Sequence, residues 1–157
     1  MSGLAKVLVP VDFSASSGVA LAHAVALADR FGASIHVLHC WEVPAYLRPD
    51  LTVWSGEVSA TLADHAQKEA EKGMELFLAD AKLTGRKGLT AQVACGAPYA
   101  TILAAAEEGR YDLIAMGTHG RTGLSHLLLG SVAEKVVRHA RCAVLTVRAK
   151  PQAAPGG

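Results

Sequence analysis

No stretch of this 157-residue chain is apolar for long. The run from Leu4 to Val11 is already broken by Lys6, against the ~20 apolar residues a membrane helix needs, so no bilayer-spanning segment is expected. The start of the chain lacks the charged, apolar and cleavage-site order of an export signal, and a cytoplasmic protein is the expectation. Cysteine is scarce. Cys40, Cys95 and Cys142 lie far apart with no C-x-x-C pair, which excludes a disulfide framework and fits a reducing compartment. Net charge is only +1, which argues against a general binder of nucleic acid or anionic membranes. Two nucleotide fingerprints are missing as well. There is no G-x-x-x-x-G-K-[ST], and the first strand runs into Asp12-Phe13-Ser14 where a dinucleotide-binding fold places G-x-G-x-x-G, which disfavours a P-loop hydrolase and a simple NAD enzyme.

What is present is a composition of 51% hydrophobic and 18% charged residues, enough for one compact domain with a sizeable core. Residues 1–149 read as that domain and 150–157 as a loose tail. The near-neutral total hides an asymmetry. From Gly117 onward there are six Lys and Arg against the single acid Glu134, whereas the residues before it carry nine bases and thirteen acids.

Lys6–Val11 is a continuous β-branched and aliphatic run, the pattern of a strand buried on both faces of a parallel sheet, and Ser34–Cys40, Leu89–Cys95, Tyr111–Met116 and Cys142–Val147 read as four further strands. Helical spacing falls between them. Ser14, Ser16 and Ser17 offer caps for a helix carrying Val19 to Phe31 and stopped by Gly32. The Trp41–Gly56 segment, with Pro44, Pro49 and Gly56, is expected to be largely irregular, and Glu57–Thr84 to form one long amphipathic helix. Pro98 opens a third helix that ends at Gly109, and Gly130–Ala140 forms a fourth. Five strands alternating with four helices imply a single doubly wound α/β domain, with a five-stranded parallel sheet and helices on both faces. Ligands of such sheets bind beyond the carboxyl ends of the strands near the reversal of strand order, which points to the loops after strands one, two and four.

The loop after strand four, MGTHGRTGLSHLLLGS, suits phosphate. Gly117, Gly120 and Gly123 remove side chains that would hold an anion off the backbone, Gly130-Ser131 opens a helix with unpaired N–H groups, and no acid interrupts residues 113–133. His119, Arg121 and His126 add donors or charge. On residue types alone, the same glycines could simply join strand to helix. Other constellations fail on geometry: His36 and His39 lie three apart in a strand and face opposite sides, and Ser14, Ser16 and Ser17 sit in no G-x-S-x-G elbow and read better as caps.

The spacing Gly117, two residues, Gly120, nine residues, Gly130-Ser131 resembles the nucleotide-binding signature of the universal stress protein family. KVLVPVDFS is similar to that family's first strand and loop, and CAVLTVR to its closing strand, so the resemblance runs from Lys6 to Arg148. It implies an adenine nucleotide alpha hydrolase-like sheet of order 3-2-1-4-5, a homodimer paired through Cys142–Val147, and a site for ATP in the subgroup that keeps the glycines. By the same resemblance Pro10, Val11 and Asp12 would line the adenosine pocket and Cys40 would offer backbone contacts to adenine. Met116, Gly117, His119, Gly120 and Arg121 would border ribose and phosphates, and Gly130, Ser131, Val132 and Ala133 would hold the phosphates. Asp12 also suits a ribose or magnesium-linked contact, or a plain helix-entry cap. The Cys40 thiol would make the pocket oxidation-sensitive only if exposed with a lowered pKa, and reads better as that of a small core residue.

The preferred expectation is therefore an ATP-binding, nucleotide-sensing stress-response module, with no nucleic-acid or membrane partner and at most slow ATP hydrolysis. The alternatives are a phosphoryl or nucleotidyl transferase with Asp12 on magnesium, and a nucleotide-free dimeric interaction module.

Overall fold

The computed structural model describes residues 3–55, 58–119 and 129–150. In chain order its elements are β1 (Lys6–Pro10), α1 (Ala15–Phe31), β2 (Ser34–Trp41), β3 (Thr52–Ser55), β4 (Val58–Thr61), α2 (Leu62–Asp80), β5 (Leu89–Cys95), α3 (Pro98–Glu108), β6 (Leu113–Gly117), α4 (Ser131–His139) and β7 (Ala143–Val147).

Five of the strands form one sheet in the order β5-β2-β1-β6-β7, every pair parallel. These are the five strands read from the sequence. Their order departs from 3-2-1-4-5 only in its labels, because β3 and β4 intervene in the chain. The alternation along β1 explains the layering: Val7 and Val9 join Ile35, Val37, Ala115 and Leu21 in a core under α1 and α2, while Leu8 joins Leu38, Ile114 and Val136 in a second core under α3 and α4. Both faces are thus dry. Strand order reverses between β1 and β6, the place where such sheets open a crevice at the strands' carboxyl ends.

One expected stretch is corrected. Thr52–Ser55 and Val58–Thr61 pair as an antiparallel hairpin where the sequence pattern suggests an irregular loop and the first turn of a long helix. The helix cannot begin earlier, because Thr61 is built as its cap. Thr61 Oγ1 accepts from the Asp64 amide at 3.1 Å and Asp64 Oδ2 accepts from the Thr61 amide at 3.1 Å, a reciprocal capping box. Backbone bonds from Leu62 N–H to Leu51 and from Ala63 N–H to Pro49 fix the arm to the helix start. Trp41 Nε1 donates to Gln67 Oε1 at 2.7 Å and ties the end of β2 to α2.

Candidate functional site

A cavity of about 290 Å³ opens at the carboxyl ends of β1 and β6, close to the lower end of the roughly 300–1,000 Å³ typical of ligand pockets. From the end of β1 come Pro10, Val11 and Asp12; from β2, Cys40; from β6 and its continuation, Met116, Gly117 and His119; from the start of α4, Gly130, Ser131, Val132 and Ala133. Eleven residues singled out from separated segments of the sequence therefore share one wall. Gly120, Arg121, Gly123 and His126 lie outside the described residues, as does the tail from 151 onward.

The sequence pattern missed Ser14 and Ser17, Leu38, Thr118, and from α3 Pro98 and Ile102. Pro98 carried a signal. It fixes the start of α3 just beyond β5, and a helix entering at a strand's carboxyl end belongs to the crevice as much as the three loops that drew attention.

Three helices, α1, α3 and α4, start at this cavity, and the N-termini of α1 and α4 differ. The α1 terminus is closed by its own chain: Ser14 Oγ accepts from the Ser17 amide at 3.2 Å, while Asp12 Oδ1 accepts from the Ser14 amide and from Ser17 Oγ, both at 3.0 Å. Asp12 is therefore a helix-entry cap, as one sequence reading had it. The α4 terminus has no side-chain cap. Its N-cap Gly130 spends its own N–H on the Thr118 carbonyl at 2.7 Å, and the first intrahelical bond runs from Glu134 N–H to Gly130. The first-turn amides of Ser131, Val132 and Ala133 have no intrahelical acceptor, and the helix dipole adds a partial positive charge there.

The glycines owe their identity to packing more than to anion access. A Cβ on Gly117 would run into the side chain and carbonyl carbon of Ser16, so this glycine lets α1 lie against β6. A Cβ on Gly130 would stand 2.9 Å from the Thr118 carbonyl oxygen. That is closer than side chains approach. The Val147 carbonyl knits the same corner, accepting from the Thr118 amide at 3.0 Å and Ser16 Oγ at 3.3 Å.

Just beyond β1, Phe13 packs against the core under α1 and α2 with a left-handed φ of 64°, a conformation costing a residue with a Cβ about 1–2 kcal/mol. Its ring compensates by stacking on His39, with centroids 4.1 Å apart, and by meeting Phe77. His39 in turn donates from Nδ1 to the Val11 carbonyl at 2.8 Å. Burial pushes the Cys40 thiol up to about 11, against a smaller downward pull from Thr101, so this thiol is protonated and unreactive at neutral pH. On the opposite face of β2, His36 bonds Thr90 Oγ1 at 2.7 Å, so the two strand histidines do point apart.

Comparison with known proteins accords with this architecture. A sequence profile of the universal stress protein family matches residues 3–148. The chain belongs to the universal stress protein family. A curated universal stress protein of Methanocaldococcus jannaschii is 34% identical over 148 residues, covering 94% of this chain and 83% of the relative. Among solved structures, the universal stress protein UspA of Lactobacillus plantarum superposes with a TM-score of 0.75 at 27% identity, over 94% of this chain and 100% of that one. A universal stress protein solved in complex with cAMP shares the fold, with a TM-score of 0.65 at 23% identity over 93% of this chain and 98% of that one.

In this universal stress protein the cavity has two chemically distinct ends. Around Asp12 it offers a carboxylate, suited to hydroxyl groups or a cation. At α4 it offers uncapped amides, suited to an anion. Val11, Leu38, Ile102 and Met116 add apolar lining to the same cavity.

Proposed function

We propose that this universal stress protein binds an adenine nucleotide, ATP with magnesium foremost, and acts as a nucleotide-sensing stress-response module. The observation that carries the proposal is the uncapped α4 N-terminus in one cavity with Asp12 and an apolar wall. A nucleotide carries the three matching chemistries: phosphates for the α4 amides, ribose hydroxyls or a phosphate-bound magnesium for Asp12, and a base for the apolar lining that includes Leu38 and Ile102. Its sequence resemblance to the glycine-bearing, ATP-binding subgroup supports ATP. The cAMP held by a universal stress protein of the same fold is an adenine nucleotide too.

The cavity fits a magnesium nucleotide in its donor set. Asp12 is the one carboxylate among its described lining residues and would hold the ion, which supplies charge neutralisation for the phosphates. Efficient phosphoryl transfer also needs a group orienting the nucleophile and cationic stabilisation of the transferred phosphate. Among the described lining residues there is no Lys or Arg and no carboxylate besides Asp12, and we favour sensing over turnover. We further propose a cytoplasmic homodimer joined through β7, which among the described residues is an edge strand paired only with β6 and carries Val144 and Leu145.

The test is isothermal titration of nucleotide-stripped protein with ATP and magnesium, followed by phosphate release from the same sample. Saturable binding with negligible release is expected. No binding would defeat the proposal, and release at many turnovers per minute would replace sensor with enzyme.

A further inference from the structure

A groove of about 350 Å³ follows the exposed side of α4, lined by Tyr99, Ser131, Glu134, Lys135, Arg138 and His139. It meets the nucleotide cavity at two places. Ser131 lines both, and Pro98, a wall of the cavity, directly precedes Tyr99, a wall of the groove. From Ser131 to Arg138 the helix rises about 10 Å. The groove therefore starts at the uncapped α4 N-terminus and leads along the helix away from it.

Its chemistry is mixed, not simply cationic. The Lys135 ammonium stands 4.5 Å from the centroid of the Tyr99 ring, and Tyr99 is 38% exposed, so ring and cation form one accessible platform. Beside it the Arg138 guanidinium pairs with Glu134 Oε1 at 2.9 Å, both side chains exposed. His139 Nδ1 donates to the Lys135 carbonyl at 2.8 Å. A bare phosphate placed here would meet the Glu134 carboxylate along with the two cations. A nucleoside meets complementary groups throughout: an aromatic ring and a guanidinium plane to stack on, and a carboxylate to accept from an amino group or ribose hydroxyl.

We propose that this groove is a second nucleoside subsite, which makes the ligand class of the site the dinucleoside polyphosphates, two nucleosides joined through one phosphate chain. This rests on the nucleotide reading above. The first nucleoside occupies the cavity, and the chain crosses the α4 N-terminus at Ser131 with Lys135 one turn beyond. The second base stacks at Tyr99 and Arg138. Joining the two groups by one chain raises affinity with no new contact in the cavity, because the second group is held at high local concentration. Stacking tolerates any base, so the groove selects for the presence of a second nucleoside more than for its identity.

The experiment is calorimetric titration of the full, nucleotide-stripped chain with ATP, adenosine tetraphosphate and diadenosine tetraphosphate, each with magnesium, for wild type, Tyr99→Ala, Tyr99→Phe and Arg138→Ala, with melting followed on each. Adenosine tetraphosphate supplies the long chain without the second nucleoside. Wild type should bind diadenosine tetraphosphate about tenfold more tightly than either mononucleotide, the effect of one stacked base. Tyr99→Ala should bring it down to the adenosine tetraphosphate level with ATP affinity unchanged, and Tyr99→Phe should keep the preference. Arg138→Ala, at an exposed helix position, should reduce the preference and provides the readout should Tyr99→Ala not fold. Equal affinity of wild type for the two tetraphosphates overturns the inference, as does a preference that survives both Tyr99→Ala and Arg138→Ala; in either case ATP binding leaves the cavity standing. Failure of wild type to bind any of the three overturns the nucleotide reading itself.

Discussion

The Phe13 ring lies almost parallel to the His39 imidazole, 4.1 Å from centroid to centroid, and a Cβ placed on Gly73 would come within 2.8 Å of the same ring. A left-handed residue at the end of β1 is thus clamped between a strand histidine and a helix glycine. Gly73 sits inside α2, where alanine would ordinarily stabilise by about 1 kcal/mol. Here Gly73→Ala should instead destabilise, by about 1–2 kcal/mol from overpacking. In a Phe13→Ala background the clash is gone and the same change should stabilise by about 1 kcal/mol. Urea denaturation of the four proteins measures the cycle; additive effects would show that ring and glycine do not touch.

Ser131→Pro isolates the anion end of the cavity. Ser131 is the first residue of α4, where proline is tolerated, and Gly130 before it has φ −58° and ψ 152°, a conformation proline permits in its neighbour. The change removes one first-turn N–H and the hydroxyl without a fold penalty. ATP affinity should fall by about tenfold to a hundredfold, the equivalent of one or two charge-assisted bonds, with melting unchanged. Gly130→Leu is the poorer probe, since its side chain would collide with the Thr118 carbonyl as well as with phosphate.

Asp112 should contribute to acid sensitivity. Its Oδ2 accepts from the Ala5 and Lys6 amides, both at 2.9 Å, and these bonds hold its carboxyl below the ordinary 3.8. A carboxyl depressed in the folded state stabilises above its unfolded pKa, and that stabilisation is lost as pH falls through the folded value. The denaturation midpoint of wild type should therefore decline below about pH 4, and Asp112→Asn should flatten part of that decline. Identical profiles for the two proteins would deny the linkage.

The three thiols should label in a fixed order. Cys95 is exposed, whereas burial raises both Cys40 and Cys142. Iodoacetamide at neutral pH should modify Cys95 first and Cys40 last, followed by peptide mass spectrometry. Early loss of Cys40 would show that its thiol is accessible and reactive.

Much of this architecture was legible because burial on both sheet faces writes continuous aliphatic runs: KVLVP and LIAM are strands for that reason, and their order along the chain brought Asp12, His119 and Ser131 to one cavity. The hairpin was not legible. Its strands are four residues each, too short for a clear period of two, and the helical stripe from Leu62 reads backwards through them. The signal that should have separated them is Thr61 three residues before Asp64, a cap spacing. Ile102 and Leu38 were hidden for another reason, since both look like ordinary core residues and only the packing of α3 shows that their ends face open space. The packing role of Gly117 was hidden likewise: its neighbour Ser16 is about a hundred residues away in sequence and adjacent only after folding.

The shared acceptance of Ser16 and Thr118 by the Val147 carbonyl sets an order of events during synthesis. Ser16 belongs to the first helix and Val147 to the last strand, so a nascent chain that has already emitted Asp12, Cys40 and even His119 still lacks the oxygen on which both hydroxyl and amide must close. The cavity of a half-made chain lacks this corner, and only the arrival of the final strand completes it.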